Sequence, residues 1–253
     1  MADSPKHYQH NLTAPRKETP AMRMGSAIHR AVLEPDRLGS TYVRYEGDRR
    51  GKKWTSFAES AAESGANVLT ATEYDRVEAI VRAVYSHPHA VDLLGRATVR
   101  EKRLDWTIDC GLGGHVDVRG TPDSLAPDFS ILAGLKTTGI ADPRRWDQEA
   151  TRMNYHAQSS IYVDGIEILY GVRPAVYWIV VEQRAPHDVA VYHVGEDVLA
   201  EGRRCYRQWI DDVIHCERAD EWPGRSPEIV PFELPAWASP PLILDFGGES
   251  EEF

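Results

Sequence analysis

GTPDSLAPDFSILAGLKTT, residues Gly120 to Thr138, is the stretch on which the fold is decided. Asp123 follows a proline, Phe129 to Leu132 gives an apolar-leaning strand signal, and Leu135-Lys136 with a Thr-Thr pair closes the span. A hairpin here sets an acid from its first strand beside residues of its second. Positions 134 and 136 then share one face, because strand side chains repeat every two residues. Two carboxylates at such a place would hold Mg2+, and a lysine would orient or activate a water, which is the skeleton of metal-dependent phosphodiester hydrolysis. Position 134, however, is glycine and offers no side-chain donor. On its own an acid, a strand and a lysine is also the pattern of a surface salt bridge, so the rest of the chain must decide.

Flanking segments supply strands and helices in an α/β order. Met22 to Leu33 places Ala27, Ile28, Ala31 and Val32 at helical spacing and ends at Glu34-Pro35, with His29 on the same helix. Residues 36–56 are charged and broken by glycine, which predicts a loop or a mobile segment, and a short helix is expected from Lys53 to Ala66. Thr70 and Glu73 form a capping box ahead of the stripe Val77, Ile80, Val81, Val84 and Tyr85. After His87-Pro88 a short helix is expected to about Leu94, then strands over Thr98 to Ile108 and Leu112 to Arg119, with Gly111, Gly113 and Gly114 between or within them.

Asp142-Pro143 opens a long helix, broken near Asn154, that runs to Tyr170 with Gly171 beyond. Ala175 to Glu182, AVYWIVVE, is a continuous apolar run and predicts a strand buried on both faces, with Val189 to Val194 as its neighbour. Glu196 to Arg218 predicts a last helix. This order gives a mixed sheet with helices on both sides. Residues 1–20, with three prolines, predict an irregular N-terminal arm, residues 21–240 one domain, and residues 241–253 an acidic C-terminal tail.

Composition narrows the function classes. The 42% hydrophobic and 27% charged content is that of an ordinary globular chain. No apolar run approaches the length of a membrane span, and the N-terminal residues lack a signal-peptide core. Cys110, Cys205 and Cys216 are scattered, which fits reduced thiols in a cytoplasmic protein. The net charge of −10 argues mildly against nucleic acid, yet Arg49, Arg50, Lys52 and Lys53 cluster near Arg44 and are candidates for a DNA path. Arg96, Arg100, Lys102 and Arg103 form a second basic cluster. P-loop, dinucleotide-binding, zincin and nucleophile-elbow motifs are absent from the sequence.

The remaining candidates come in a telling order. His29 can ligate a metal through a neutral imidazole. Glu101 opens the strand ahead of Asp123, and Gln158 and Tyr162, at i and i+4, share a face of the long helix. The ordered set MGSAIHRAVLEPD, GKKWTSFAE, VLTATEY, SHPHAVDLL, TPD, LKTT, YHAQSSIYVDG, ADEWPG and LPAWA, from about Met24 to Trp237, resembles the RecE-type exonucleases (exonuclease VIII) of the PD-(D/E)xK superfamily, close to its RecB-like branch.

The resemblance implies an α/β PD-(D/E)xK core of restriction-endonuclease type, with a mixed central sheet flanked by helices. It implies a Mg2+-dependent exonuclease, with Mn2+ as a substitute, that degrades linear double-stranded DNA 5′→3′. It further implies a toroidal homo-tetramer, a single-strand annealing partner and a phage or prophage recombination system in a bacterial host. By position, His29 and Asp123 match metal ligands, the Leu135 carbonyl a further ligand, Lys136 the catalytic lysine, and Gln158 and Tyr162 the Q-x-x-x-Y motif. Glu101 matches an acid of less defined role. Gly134 stands where the family carries its second aspartate. That departure leaves open an impaired enzyme, a catalytically inactive DNA-binding relative, or a structure-selective endonuclease of the same superfamily.

Overall fold

The computed structural model describes residues 4–15, 19–110 and 114–234. Helix α1 (Pro5–Thr13) starts on a Ser4 cap, so the arm expected to be irregular is helical over these nine residues. The cap and a proline at the first turn fix that start, and the Lys6 N–H donates to the Pro223 carbonyl at 3.2 Å. Helix α2 (Pro20–Leu33) buries Met24, Ala27, Ile28, Ala31 and Val32, as its periodicity requires.

The segment expected to be a loop, 36–56, is largely ordered as α3 (Pro35–Thr41), β1 (Tyr42–Tyr45) and the start of α4 (Gly51–Glu63). Tyr42-Val-Arg-Tyr45 has strand-forming side chains, and it pairs in parallel with β2 (Asn67–Thr70). Helix α5 (Ala71–Ser86) opens on the Thr70–Glu73 capping box with both reciprocal bonds present, and α6 (Pro88–Arg96) follows it.

The strand expected over 98–108 is cut in two. Glu101 adopts the left-handed conformation (φ 47°) and separates β3 (Val99–Arg100) from β4 (Leu104–Cys110). Strand β4 pairs with β5 (Gly114–Gly120) in a separate ribbon; Gly111 and Gly113, expected between or within these strands, and Leu112, the expected start of the second, lie outside the described residues. Strands β6 (Ser124–Leu125) and β7 (Ile131–Thr138) form the hairpin expected over Asp123 to Lys136. Helices α7 (Pro143–Arg152) and α8 (Tyr155–Tyr170) are separated at Asn154, which is left-handed at φ 55°. Strands β8 (Ala175–Glu182) and β9 (Val189–Val194) occupy their expected spans, and α9 (Glu196–Ala219) completes the set. Residues 223–234 have no regular structure, and the expected acidic tail, 241–253, lies outside the described residues.

The main sheet has the order β3-β6-β7-β8-β9, parallel only between β7 and β8. One core lies on each face. Ile131, Ala133 and Leu135 of β7 pack with α2, α5 and α6, whereas Leu132, Val176, Trp178 and Val180 pack with β4, α7, α8 and α9. Among the described residues no helix is long and apolar enough to cross a membrane.

Helix α8 carries candidate site residues, and its seat on α9 depends on one glycine. A Cβ on Gly202 would lie 2.4 Å from the His156 carbonyl oxygen and 2.3 Å from Ser160 Oγ. Ser160 Oγ already donates to the carbonyls of His156 and Leu199. Because one obstacle is helix backbone, Gly202→Ala must push the helices apart. The expected cost is about 1–3 kcal/mol, read as a fall in thermal midpoint of about 2–4 °C per kcal/mol for a domain of this size. An unchanged midpoint would contradict the packing described.

Candidate metal centre and its lysine

The two carboxylates and the histidine reach one point from three parts of the chain. Asp123 stands just before β6, and its Oδ2 accepts the Leu135 N–H of β7 at 2.8 Å. That bond ties the acid to the strand carrying Lys136. Glu101 joins it through the left-handed bend, where its own N–H donates to the Asp123 carbonyl at 3.2 Å. Glu101 therefore lies at a bend between strands, not at the opening of one. His29 comes from α2, with Nδ1 3.8 Å from Asp123 Oδ1.

One donor atom from each of His29, Glu101 and Asp123 lies within 4.8 Å of the others. Burial lowers the pKa of His29, opposed by the Asp123 carboxylate, so the imidazole is neutral and able to ligate at neutral pH. Burial, then the Asp123 charge, raises the pKa of Glu101. Two carboxylates beside a neutral imidazole suit a hard divalent cation, and such a charge would relieve the repulsion between the two acids.

Gly134 and Lys136 face α8, as the two-residue period requires. They line a small cavity with Asp123, Gln158, Tyr162 and Trp178. A Cβ at position 134 would sit 3.6 Å from Lys136 Cε, 3.6 Å from Trp178 Cδ1 and 3.7 Å from Asp123 Oδ2, all ordinary contacts. The position is thus aimed at the acid cluster and has room for a side chain. Asp128 does not replace it, since its carboxylate accepts from the Ser130 N–H and hydroxyl.

Lys136 Nζ donates to Gln158 Oε1 at 2.7 Å and lies 4.4 Å from the centre of the Tyr155 ring. Burial lowers its pKa, with Asp123 pulling the other way. Tyr162 lines the same cavity, and burial raises the pKa of its phenol. Tyr155 and Trp178 were not foreseen. Tyr155 shares the Gln158–Tyr162 helix face at i, i+3, i+7, a spacing visible in the sequence. Trp178 is found only through the β7–β8 register, which sets it opposite Gly134. A wider open cleft, lined by Gly25, Ser26, His29, Arg30, Glu101 and Asp123, leads to the cluster from the α2 side.

The basic candidates divide. The Arg49 guanidinium bonds Glu73 and the Val68 carbonyl and lies against Trp54, so it joins α4 to α5 and is not a free phosphate ligand. Arg50, Lys52 and Lys53 are exposed at the start of α4, where no side chain caps the helix. The second basic cluster dissolves: Arg100 donates to the carbonyls of Ala97 and Leu94, Arg103 pairs with Asp105, Arg96 with Asp92, and Lys102 sits over Phe129 and Tyr170.

Residues 1–232 match the family described as a PDDEXK-like domain of unknown function (DUF3799). The chain belongs to that family. Its core is therefore a PD-(D/E)xK nuclease fold. This PDDEXK-like domain also resembles the crystal structure of a protein from Eubacterium rectale described as "Putative exonuclease". The TM-score is 0.55 at 11% identity, covering 90% of this chain and 81% of the other, which is a likeness of fold. A second solved structure, SSO0001, gives a TM-score of only 0.35 at 13% identity over 84% of this chain and 83% of its own. No curated protein matches the sequence.

Proposed function

We propose that this PDDEXK-like domain is a Mg2+-dependent nuclease of the RecE (exonuclease VIII) type, acting 5′→3′ on ends of linear double-stranded DNA and impaired by glycine at position 134. The observation that carries the reading is the convergence of His29, Glu101 and Asp123 within 4.8 Å beside a lysine held by Gln158. His29, Asp123, Glu101 and the Leu135 carbonyl would hold the cation. When bound, it would supply charge neutralisation at the phosphate and a more acidic water.

The side chains divide the remaining work. Lys136, kept in place by Gln158 and Tyr155, offers its ammonium to the attacking hydroxide or to the charge developing on the phosphate. Gln158 and Tyr162 present one helix face against which the nucleotide is positioned. The reading brings with it the resemblance's toroidal homo-tetramer and single-strand annealing partner. Gly134 favours a second reading, a DNA-binding relative without chemistry.

The test incubates the chain with Mg2+ and either linear duplex carrying 5′ phosphates or closed circular duplex. Loss of nucleotides from linear DNA alone is expected, at a low rate. Equal cutting of the circle would point to an endonuclease, and DNA binding without product at any metal concentration to the second reading.

DNA binding has its own signature. Cations in the first turn of a helix oppose its dipole, so Arg50, Lys52 and Lys53 would be better accommodated beside phosphates. Replacing all three with glutamine is expected to weaken duplex binding across sequences. It should also flatten the dependence of log K on log salt by about 2–3, near 0.9 per lost phosphate contact. An unchanged slope would return these residues to a solvated helix end.

A further inference from the structure

The last described segment carries apolar side chains that no other described residue covers. Ile229 is 99% exposed, Val230 68%, Phe232 88% and Leu234 56%. Its prolines follow a rule: Pro223, Pro227, Pro231 and Pro235 fall at every fourth residue. In an extended chain, residues of one parity direct both N–H and C=O to the same side. All four prolines share one parity, so the opposite edge, at Val230, Phe232 and Leu234, keeps every backbone donor. Those three side chains also lie on one face, being two residues apart. Prolines confined to the outward edge are how a strand at the border of a sheet accepts pairing on one side only.

A receiver of matching character exists in the fold. Strand β9 ends the main sheet and pairs only with β8 among the described residues. Its sequence, Val-Ala-Val-Tyr-His-Val, has no Lys, Glu, Asp or proline, and its register with β8 runs without a bulge from Val189 to Val194. Protective devices of edge strands are thus missing from β9 itself. Every second residue directs its backbone groups away from β8.

We infer that residues Val230–Leu234 of one copy add as an extra strand to the free edge of β9 in a second copy. Return to its own β9 is opposed by the path of the chain. Helix α9 begins two residues after β9 and carries the chain about 36 Å away. Trp222 and Pro223 then fasten the start of the segment to Tyr8 and Lys6 of α1. Backbone bonds would give the contact its strength, and Val230, Phe232 and Leu234 its register.

The experiment compares the full chain with Val230→Asp/Phe232→Asp, whose substituted side chains are exposed and leave the fold intact. Sedimentation across a range of concentrations should show self-association of the parent, weakened at least ~30-fold in the variant, the effect of losing a central apolar anchor. Amide exchange supplies the location: alternate β9 N–H groups should be protected at high concentration in the parent and exchange freely in the variant. A parent that stays monomeric overturns the inference. So does equal association of both proteins, or β9 protection that does not depend on concentration, which would place the segment on its own chain. These outcomes are independent of metal and DNA: a monomeric parent would also remove the proposed homo-tetramer, but it would leave the metal centre and the nuclease chemistry untouched.

Discussion

Gly134→Asp is expected to raise Mg2+-dependent degradation of linear duplex DNA by at least ~100-fold over the chain as it stands, the upper end of what even outer-sphere ligand losses cost. The new Cβ meets only ordinary contacts, with Lys136, Trp178 and Asp123 as neighbours. Strand periodicity aims the carboxylate at the face that holds Lys136. Glycine contributes no side-chain packing there, and in a strand its backbone freedom is a slight cost. The same substitution has a signature that needs no turnover. Without metal, a third carboxylate joins Asp123 and Glu101, and like charges at one site oppose ionisation. The variant should therefore melt lower than the parent in chelator and gain more from added Mg2+. A time course on linear duplex would include Gly134→Asp and Gly134→Asp/Lys136→Ala. Activity in the first and none in the second supports the mechanism. A folded, DNA-bound Gly134→Asp protein that releases no nucleotide would end the enzyme hypothesis.

Asp123→Asn should weaken Mn2+ binding by at least ~100-fold, since it removes a charged first ligand where outer partners alone account for 10–100-fold. The amide keeps an oxygen for the Leu135 N–H, so the hairpin that Asp123 pins is retained. Asp123→Ala would leave that N–H unsatisfied, at a further cost of about 1–3 kcal/mol to folding. Calorimetric titration of parent and Asp123→Asn with Mn2+ gives the answer. Equal affinities would remove Asp123 from the centre and with it the reading of the whole cluster.

Features governed by local chemistry were legible in the chain. Thr70 and Glu73 specify their reciprocal cap, AVYWIVVE spans β8 from end to end, and the break at Asn154 separates α7 from α8. Asp123, Lys136, Gln158 and Tyr162 were drawn together by their order, and the structure brings them around one cavity. What escaped depended on partners distant in sequence. Arg49 reads as a free cation until Glu73 is seen beside it, 24 residues away, and Arg100 until the carbonyls of α6 are seen around it. Glu101 was misplaced for a different reason. Glutamate has no local preference for positive φ, so only the tertiary bond from its N–H to the Asp123 carbonyl marks the bend. Strand β1 was hidden because its four residues sit among charges and pair with β2, which begins after a whole helix.

The parallel pairing of β7 with β8 sets when the cavity around Lys136 can be completed during synthesis. Lys136 lies opposite Val180, with α7 and α8 made in between. Until Val180 has left the ribosome, the strand bearing the lysine lacks its hydrogen-bonded neighbour, and Gln158 has no sheet to lean on. At about 5–20 residues per second, several seconds separate the appearance of Asp123 from that of its completed surroundings. A translation product truncated before Ala175 contains His29, Asp123 and Lys136 and the hairpin that joins the last two, but β7 lacks its parallel neighbour and the Lys136 side of the sheet stays open.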